Sequence, residues 1–253
     1  MPDEQNLEEH LISQEAKKRV SNQLDQVEKI DIDVQTNLLK IVQGQADAVS
    51  FVGQGLVIKK DIRVQEIQLQ TTGIAINPLG ALFGQIELDE PVNSIARVTL
   101  TETDINCALA SNFTQKLIQN FELKVDDKII SFQPQDLQVF LPGDRKIGVR
   151  GRVILKETEN DQVLGFTATL HTSTTLQTIK LASFTCTEGD GVSIELIMSL
   201  MRKAKELLSL PYFEWEDMII RIQNIEVQKE HFILVMEVDM RKISPFVTEL
   251  IDL

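Results

Sequence analysis

The sequence predicts an α+β fold in which a long antiparallel sheet is combined with amphipathic helices. Apolar and polar residues alternate with period two through most of residues 62–100, as in strands with one apolar and one polar face. Directly after Thr101 the period changes to a helical one. Strands outnumber helices along the chain and short turns connect them, which indicates an antiparallel arrangement and not a doubly wound sheet.

Length and charge limit the classes of function. The chain has 253 residues and a net charge of −13. No linker rich in Gly, Ser or Pro divides it, so a single domain over residues 1–253 is predicted. The charge argues against binding to nucleic acid, which depends on Lys and Arg at phosphates. It also argues against tight electrostatic adsorption to an anionic membrane.

The chain shows no targeting or membrane-spanning pattern. Its first residues are acidic and no apolar run follows them, so no secretory signal is expected. There is no window of about 18 consecutive apolar residues of the kind that spans a bilayer. The expected location is cytoplasmic or peripheral to a membrane, or in the cell envelope if a leader has been removed. Of the two cysteines, Cys107 lies beside Ala108 and Leu109 in a helical segment and is predicted to be a buried free thiol.

The N-terminal half begins with a predicted helix over residues 7–28. Its apolar residues recur at spacings of three and four, at Ile12, Ala16, Val20, Leu24 and Val27. Residues 30–100 are predicted to be strands, and Ile30 to Val34 alternate cleanly. Gly53 and Gly55 interrupt an apolar segment, which indicates a bulge or a close approach to the backbone.

A second helix is predicted over residues 102–119, with Thr101 as its N-cap and Asp104 in the capping-box position. Strands return over residues 121–185, with a hairpin turn at Pro142-Gly143-Asp144.

The third predicted helix, residues 193–209, is apolar on most sides. Its narrow polar stripe consists of Glu195, Ser199, Arg202 and Glu206. A helix of this kind is expected to be buried on most sides. Two strands over residues 218–241 follow, with a turn near Lys229-Glu230, and the tail at 244–253 resembles a short helix with Pro245 at its first position.

No pattern indicates catalysis. The three histidines, His10, His171 and His231, are isolated, and none has metal-ligand spacing with Cys, Asp or Glu. Zinc-protease, nucleophile-elbow and glycine-rich phosphate motifs are absent from the sequence. The protein is therefore expected not to be an enzyme and to have no catalytic residue, no metal ion and no cofactor.

The excess of apolar surface has two explanations. One is a large core. The other is that sheet and helices enclose a groove that an apolar ligand fills.

Several segments resemble the LmeA-like phospholipid-binding family. They are Gly55-Leu56, Leu69, Ile74-Ala75-Ile76-Asn77-Pro78, Phe83-Gly84-Gln85-Ile86-Glu87-Leu88, Leu100-Thr101-Glu102-Thr103-Asp104-Ile105-Asn106 and Phe213-Glu214-Trp215-Glu216-Asp217-Met218. The resemblance covers most of residues 7–240. It implies a fold similar to the tubular lipid-binding (BPI-like) proteins, in which a long curved antiparallel sheet wraps around helices. The implied ligand is a phospholipid or another acyl-chain molecule, with transient membrane contact and no identified protein partner.

The predicted site is an apolar groove between helices and sheet that holds acyl chains. Its predicted lining is Ile105, Leu109, Phe113, Ile197, Leu200, Met201, Ala204, Leu208, Phe232, Leu234, Met236 and Val238. Lys59, Lys60 and Arg63 are candidates for contact with a headgroup, the alternative being a solvated surface. Two other functions stay open: a ligand-free interaction scaffold that uses a sheet edge or the C-terminal helix, and an unrecognised hydrolase of lipids.

Overall fold

The chain forms mostly antiparallel strands with few helices. A computed structural model describes residues 2–23, 26–58, 62–76, 88–112, 114–115, 121–125, 128–156, 161–172, 179–189, 194–207, 212–215 and 218–240. Within these residues the helices are α1 (Pro2–Gln23), α2 (Leu38–Val42), α3 (Glu102–Ala110) and α4 (Ile194–Leu207).

The strands form two sheets. The described strands are β1 (Lys29–Gln35), β2 (Gln45–Ile58), β3 (Ile62–Ala75), β4 (Val92–Thr101), β5 (Phe121–Val125), β6 (Lys128–Gly143), β7 (Lys146–Lys156), β8 (Asp161–Thr172), β9 (Ile179–Glu188), β10 (Phe213–Trp215), β11 (Met218–Gln228) and β12 (His231–Met240). The first sheet has the order β1-β2-β3-β4-β12-β11-β10 and the second has the order β5-β6-β7-β8-β9. Every pair whose register is described is antiparallel, as the alternation predicts.

The chain divides into two compact units. Unit 1 comprises Met1–Thr99, Pro211–Asn224 and Leu234–Leu253, and unit 2 comprises Leu100–Leu210 and Ile225–Ile233. Each unit has its own buried aliphatic residues, for example Ile30 and Leu56 in unit 1 and Leu141 and Leu155 in unit 2. The single domain over residues 1–253 stays a prediction.

Three helices lie at predicted positions, and two of these differ from the prediction at their C-terminal ends. The prediction of strands throughout residues 30–100 is wrong at α2, where the side chain of Asn37 accepts a hydrogen bond from the N–H of Lys40 and caps a short helix. α1 ends at Gln23 rather than at residue 28. Thr101 and Asp104 form the predicted capping box of α3, since each side chain bonds to the other's backbone N–H. α3 ends at Ala110 because Ser111 adopts extended backbone. The hydroxyl of Ser111 accepts a hydrogen bond from the N–H of Thr114, and helical structure resumes at Asn112, Thr114 and Gln115. The predicted helix over residues 102–119 is thus interrupted at Ser111, and residues 116–120 lie outside the described residues. The tail at 244–253 lies outside the described residues.

Two predictions of burial on helices are wrong. Cys107 is exposed, although the buried Asp104 and Ser111 lie three and four residues from it, at spacings that share a side of a helix. On α4, Ile194 and Met198 are 71% and 59% exposed, so this helix is not buried on most sides. An apolar pattern shows which residues favour burial, but not how many elements are present to cover them.

The predicted turns and the close approach at Gly55 are confirmed. Between β6 and β7, Asp144 and Arg145 both have positive φ (52° and 59°), as in the two-residue turns that match strand twist. Gly55 has a φ of +61°, and a Cβ there would lie 2.3 Å from Cδ of Glu28. A side chain at this position would therefore meet both an unfavourable backbone conformation and a clash.

Candidate functional site

Hydrogen bonds between side chains identify the polar face of the first sheet within unit 1. Nδ2 of Asn93 on β4 donates to Oε1 of Glu237 (2.9 Å) and to Oδ1 of Asp239 (2.7 Å) on β12. Nε2 of Gln223 on β11 donates to Oε2 of Glu237 (2.8 Å), and Arg221 pairs with Asp239. These five side chains lie on one face because they bond to one another. Their neighbours in sequence therefore point to the other face.

The cation of this polar face is paired with carboxylates of the same face. The hydrogen bond to Asp239, together with the charges of Asp239 and Glu237, raises the pKa of Arg221. The guanidinium of Arg221 thus stays charged, and carboxylates of the same face bind it.

The opposite face of these strands is apolar. In register, Leu69 of β3 lies between Phe51 of β2 and Ala96 of β4, and Ile67 pairs with Val98. On β12, Glu237 and Asp239 lie on the polar face, so the residues that alternate with them, Leu234, Met236 and Val238, lie on the apolar face. We call this surface of unit 1 the apolar sheet face; it comprises Val49, Phe51, Ile67, Leu69, Thr71, Ser94, Ala96, Val98, Leu234, Met236 and Val238.

Burial changes along this face of unit 1. At β1, Ile30 and Ile32 are only 3% and 8% exposed, and α1 lies against this strand. Phe51, Leu69 and Met236 are only half-buried although their strands lie inside the sheet. Half-buried aliphatic and aromatic side chains on an inner face are what an apolar groove with access to solvent would present.

Two small hydroxyl side chains interrupt the apolar sheet face. Thr71 and Ser94 are direct partners in the β3–β4 register, and they are 6% and 3% exposed. The hydroxyl of Thr71 is buried and has no hydrogen-bond partner among the described residues. A buried polar group without a partner costs about 1–3 kcal/mol.

Comparison with known proteins assigns the chain to a family. The model of the LmeA-like phospholipid-binding family matches residues 3–235. The chain belongs to the LmeA-like phospholipid-binding family. No curated protein and no solved structure matches the chain significantly. The match confirms the resemblance noted in the sequence and supports a phospholipid as the ligand.

The LmeA-like family is characterised by lipid binding and is not known as a family of enzymes. In the described part of the chain, no three His, Cys, Asp or Glu residues are grouped so as to hold a metal ion. None of the described helices is both long enough and apolar enough to cross a bilayer.

The predicted lining residues of this LmeA-like chain fall in both units. Leu234, Met236 and Val238 are half-buried on the apolar sheet face of unit 1. The predicted residues of unit 2 whose side chains are described are also half-buried: Ile105, Leu109, Ile197, Met201 and Phe232. Phe113 and Leu208 lie outside the described residues, as do the side chains of Leu200 and Ala204. That all of these residues line one groove stays a prediction.

Of the predicted headgroup residues, only Arg63 is described. Its Nη2 donates to Oε1 of Glu28 (2.9 Å) and its Nη1 donates to Oε1 of Gln65 (2.9 Å). These bonds occupy donors that a phosphate would need. They fit the alternative of a structural surface arginine. Lys59 and Lys60 lie outside the described residues, and a headgroup role for the three residues stays a prediction.

Sequence reasoning missed Thr71 and Ser94. Thr71 follows Ile67 and Leu69 in the period-two alternation, at a position where an apolar residue is expected. A polar residue at an apolar position was therefore the signal that could have identified it. Its strand partner, Ser94, could not be found from the sequence, because the β3–β4 register pairs residues 23 positions apart.

Proposed function

We propose that this LmeA-like protein binds a phospholipid or another acyl-chain ligand, with the acyl chain on the apolar sheet face of unit 1. The main support for the proposal is that Phe51, Leu69 and Met236 on the apolar sheet face are only half-buried, although their strands are not at an edge of the sheet. The family supports the class of ligand. We propose that the acyl chain is enclosed by the tubular lipid-binding fold that the resemblance implies, in which a sheet wraps around helices.

The apolar contribution is sufficient for retention of a lipid. Burial of about ten CH₂ groups at about 0.8 kcal/mol each gives roughly 8 kcal/mol before ordering costs are subtracted, which corresponds to micromolar affinity. Loss of ligand and side-chain freedom reduces this figure. An affinity in this range keeps the ligand exchangeable, as transfer of a lipid requires.

Thr71 supplies a polar anchor within the apolar sheet face. Its hydroxyl is a donor without a partner among the described residues, and an ester carbonyl of a lipid is an acceptor without a donor of its own. Because neighbouring groups cover this hydroxyl, the carbonyl reaches it only when they move aside as the ligand enters. A hydrogen bond between them would then satisfy both groups where water is excluded. The bond would also fix the depth at which the acyl chain begins.

Native mass spectrometry after gentle purification, followed by solvent extraction, tests the proposal. The intact protein should carry an extractable phospholipid or acyl-chain molecule. If it carries none and takes up none from a lipid panel, the proposal is wrong and a ligand-free scaffold is the better explanation.

Two matched variants test the position of the acyl chain. Leu69→Trp adds volume at a half-buried position, whereas Val34→Trp adds volume at a position on the same sheet that is 9% exposed. Leu69→Trp should abolish lipid uptake with little change in stability. Val34→Trp should cost about 1–3 kcal/mol, as overpacking of a filled core does. Equal destabilisation by both variants, measured by urea unfolding, would show that the apolar sheet face is filled core.

A further inference from the structure

The five-stranded sheet of unit 2 has an outer face with unusual chemistry. Its inner side carries buried aliphatic residues such as Leu155 and Leu164, with 0% and 1% exposure. The outer side carries the intervening residues of β7, which are Lys146, Gly148, Arg150, Arg152, Ile154 and Lys156. All of the cations among them are exposed. This outer side is therefore open to a partner.

The strand register aligns cations across this outer face. Lys146 of β7 is the direct partner of His171 of β8, and His171 is the direct partner of Lys180 of β9. Strand spacing places the ends of this row about 10 Å apart. Arg150 lies four residues further along β7, at about 13 Å from Lys146 by the rise of a strand.

Small and hydroxyl-bearing residues occupy the surface between these cations. They are Gly148, Thr167, Thr169, Ser183 and Thr185, which lie in register on β7, β8 and β9. Side chains of this size do not keep a flat partner away from the sheet. Their hydroxyl groups also donate hydrogen bonds to phosphate oxygens.

Arg150 is held in place by uncharged partners, so its positive charge is not neutralised. Its Nε and Nη2 donate to Oε1 of Gln138 (2.9 and 2.6 Å), and its guanidinium lies 4.7 Å above the ring of Phe140. Both partners are uncharged, and no ion pair of Arg150 occurs among the described residues. The remaining N–H donors of Arg150 are available to an anion, which guanidinium groups bind in a bidentate manner.

Carboxylates are few on this face. Glu188 at the end of β9 pairs with Arg152 (3.4 Å), and Asp161 is the register partner of Lys156 at the far end of β7. Asp136, in the irregular part of β6, lines a surface pocket together with Arg150, Arg152 and Glu188, and Asp144 lies in the turn before β7. The described outer face thus carries Lys146, Arg150, Arg152, Lys156 and Lys180 against Asp136, Asp161 and Glu188, in a chain whose net charge is −13. We call these eight residues, with His171, the basic sheet face.

We propose that the basic sheet face docks the protein onto the surface of an anionic phospholipid membrane through lipid phosphates. Charge complementarity selects the partner: the face holds a local excess of cations within an acidic protein, and the family binds phospholipids. The acidic remainder of the chain would repel a nucleic acid and an anionic membrane alike, so it is the family's phospholipid ligand that favours the membrane. The docking depends on the family's ligand class but not on the apolar sheet face.

Co-sedimentation with vesicles tests the proposal. The protein should bind vesicles that contain phosphatidylglycerol and not vesicles of phosphatidylcholine alone, and salt should release it, since screening weakens surface contacts. Lys146→Gln combined with Lys180→Gln should weaken binding by about fivefold for each cation removed. The native mass spectrum of this double variant should still show bound lipid, which separates docking from lipid binding.

A matched control carries the same change in net charge in unit 1. Lys17 and Lys40 form ion pairs with Asp31 and Asp47, so Lys17→Gln combined with Lys40→Gln should leave vesicle binding within about twofold. Equal weakening by both double variants would overturn the proposal. So would an absence of binding at low salt, binding to phosphatidylcholine that persists in high salt, or tighter binding to single-stranded nucleic acid than to vesicles at equal salt.

Discussion

The polar faces of the two sheets arise from the same alternation of polar and apolar residues, but they differ in whether their charged side chains are paired within the face. In unit 1, Asn93, Gln223 and Arg221 donate to Glu237 and Asp239, so donors and acceptors satisfy one another. In unit 2, the cations of the basic sheet face outnumber the carboxylates. A polar face whose charges are paired stabilises its own sheet. A face with unpaired charges is available to an external ion. Period two shows that a face is polar, but only the register shows which kind it is.

The protected edges of the two sheets show a related difference. In unit 1, the N–H of Val34 on β1 donates to Oγ of Ser13 on α1 (3.0 Å). In unit 2, β5 pairs only with residues 128–132 of β6, so β6 forms the edge of the sheet at Val139. There Nδ2 of Asn106 on α3 donates to the carbonyl oxygen of Val139 (2.9 Å), and Oδ1 accepts from the N–H of Val139 (2.8 Å). The amide of Asn106 thus replaces a peptide group of a missing neighbouring strand. Both edges are protected against pairing with another chain, and the second is bound at two points.

The largest expected effect comes from removal of the two-point edge contact. Asn106→Leu should leave the N–H and the carbonyl of Val139 without partners and lower the free energy of unfolding by about 2–4 kcal/mol. Ser13→Ala, which removes a single acceptor at the other edge, should cost about 1 kcal/mol. Urea unfolding of both variants measures the difference. Equal costs would mean that the edges are not protected to different degrees.

A smaller effect of opposite sign is expected on the apolar sheet face. Thr71→Val replaces an unpartnered hydroxyl by a methyl group of similar size and should raise stability by about 1 kcal/mol. It should also weaken lipid retention if the hydroxyl binds the ligand. Thr36→Val is the control, because the buried hydroxyl of Thr36 donates to the carbonyl of Gln45 (3.1 Å), and its loss should lower stability by about 1 kcal/mol. A Thr71→Val protein that retains lipid as well as the wild type would contradict the anchoring role.

The smallest expected effect tests whether an unpaired cation is what distinguishes the polar face of unit 2 from that of unit 1. Asp239→Asn removes a charge that binds Arg221 in unit 1 and leaves a less neutralised cation on that face. If unpaired cations promote docking, binding to phosphatidylglycerol vesicles should increase, but by less than about fivefold, because Glu237 remains close to Arg221. A decrease in vesicle binding would indicate that the polar face of unit 1 contributes to docking through its existing ion pairs.

Much of the local structure follows from the sequence because it depends on neighbouring residues. The alternation from Ile30 to Val34 is seen as buried and exposed positions of β1. Thr101 and Asp104 form their capping box three residues apart, and Asp144 adopts the positive φ of a tight hairpin turn. Backbone periodicity and cap chemistry act over a few residues, so a single sequence contains the information that they need.

Other properties depend on contacts between distant residues. Cys107 is exposed although its segment is apolar, and α3 ends at Ala110, although the apolar pattern continues, because Ser111 adopts extended backbone. The predicted lining residues on α3 and α4 could be chosen for their apolar character, but not assigned to one groove. Neither the sequence nor its charge indicates that Lys146, His171 and Lys180 lie in one row.

The sequence by itself determined the strand-rich composition of the fold, the start of α3, the tight hairpin turn and, through the family pattern, the class of ligand. Tertiary structure alone decided that Thr71 is buried opposite Ser94, that Asn106 closes the edge of β6, and that cations gather on one outer face of an acidic protein. The physical reason is that strand register pairs residues far apart in the chain. A one-residue shift of register would turn each of these side chains to the other face.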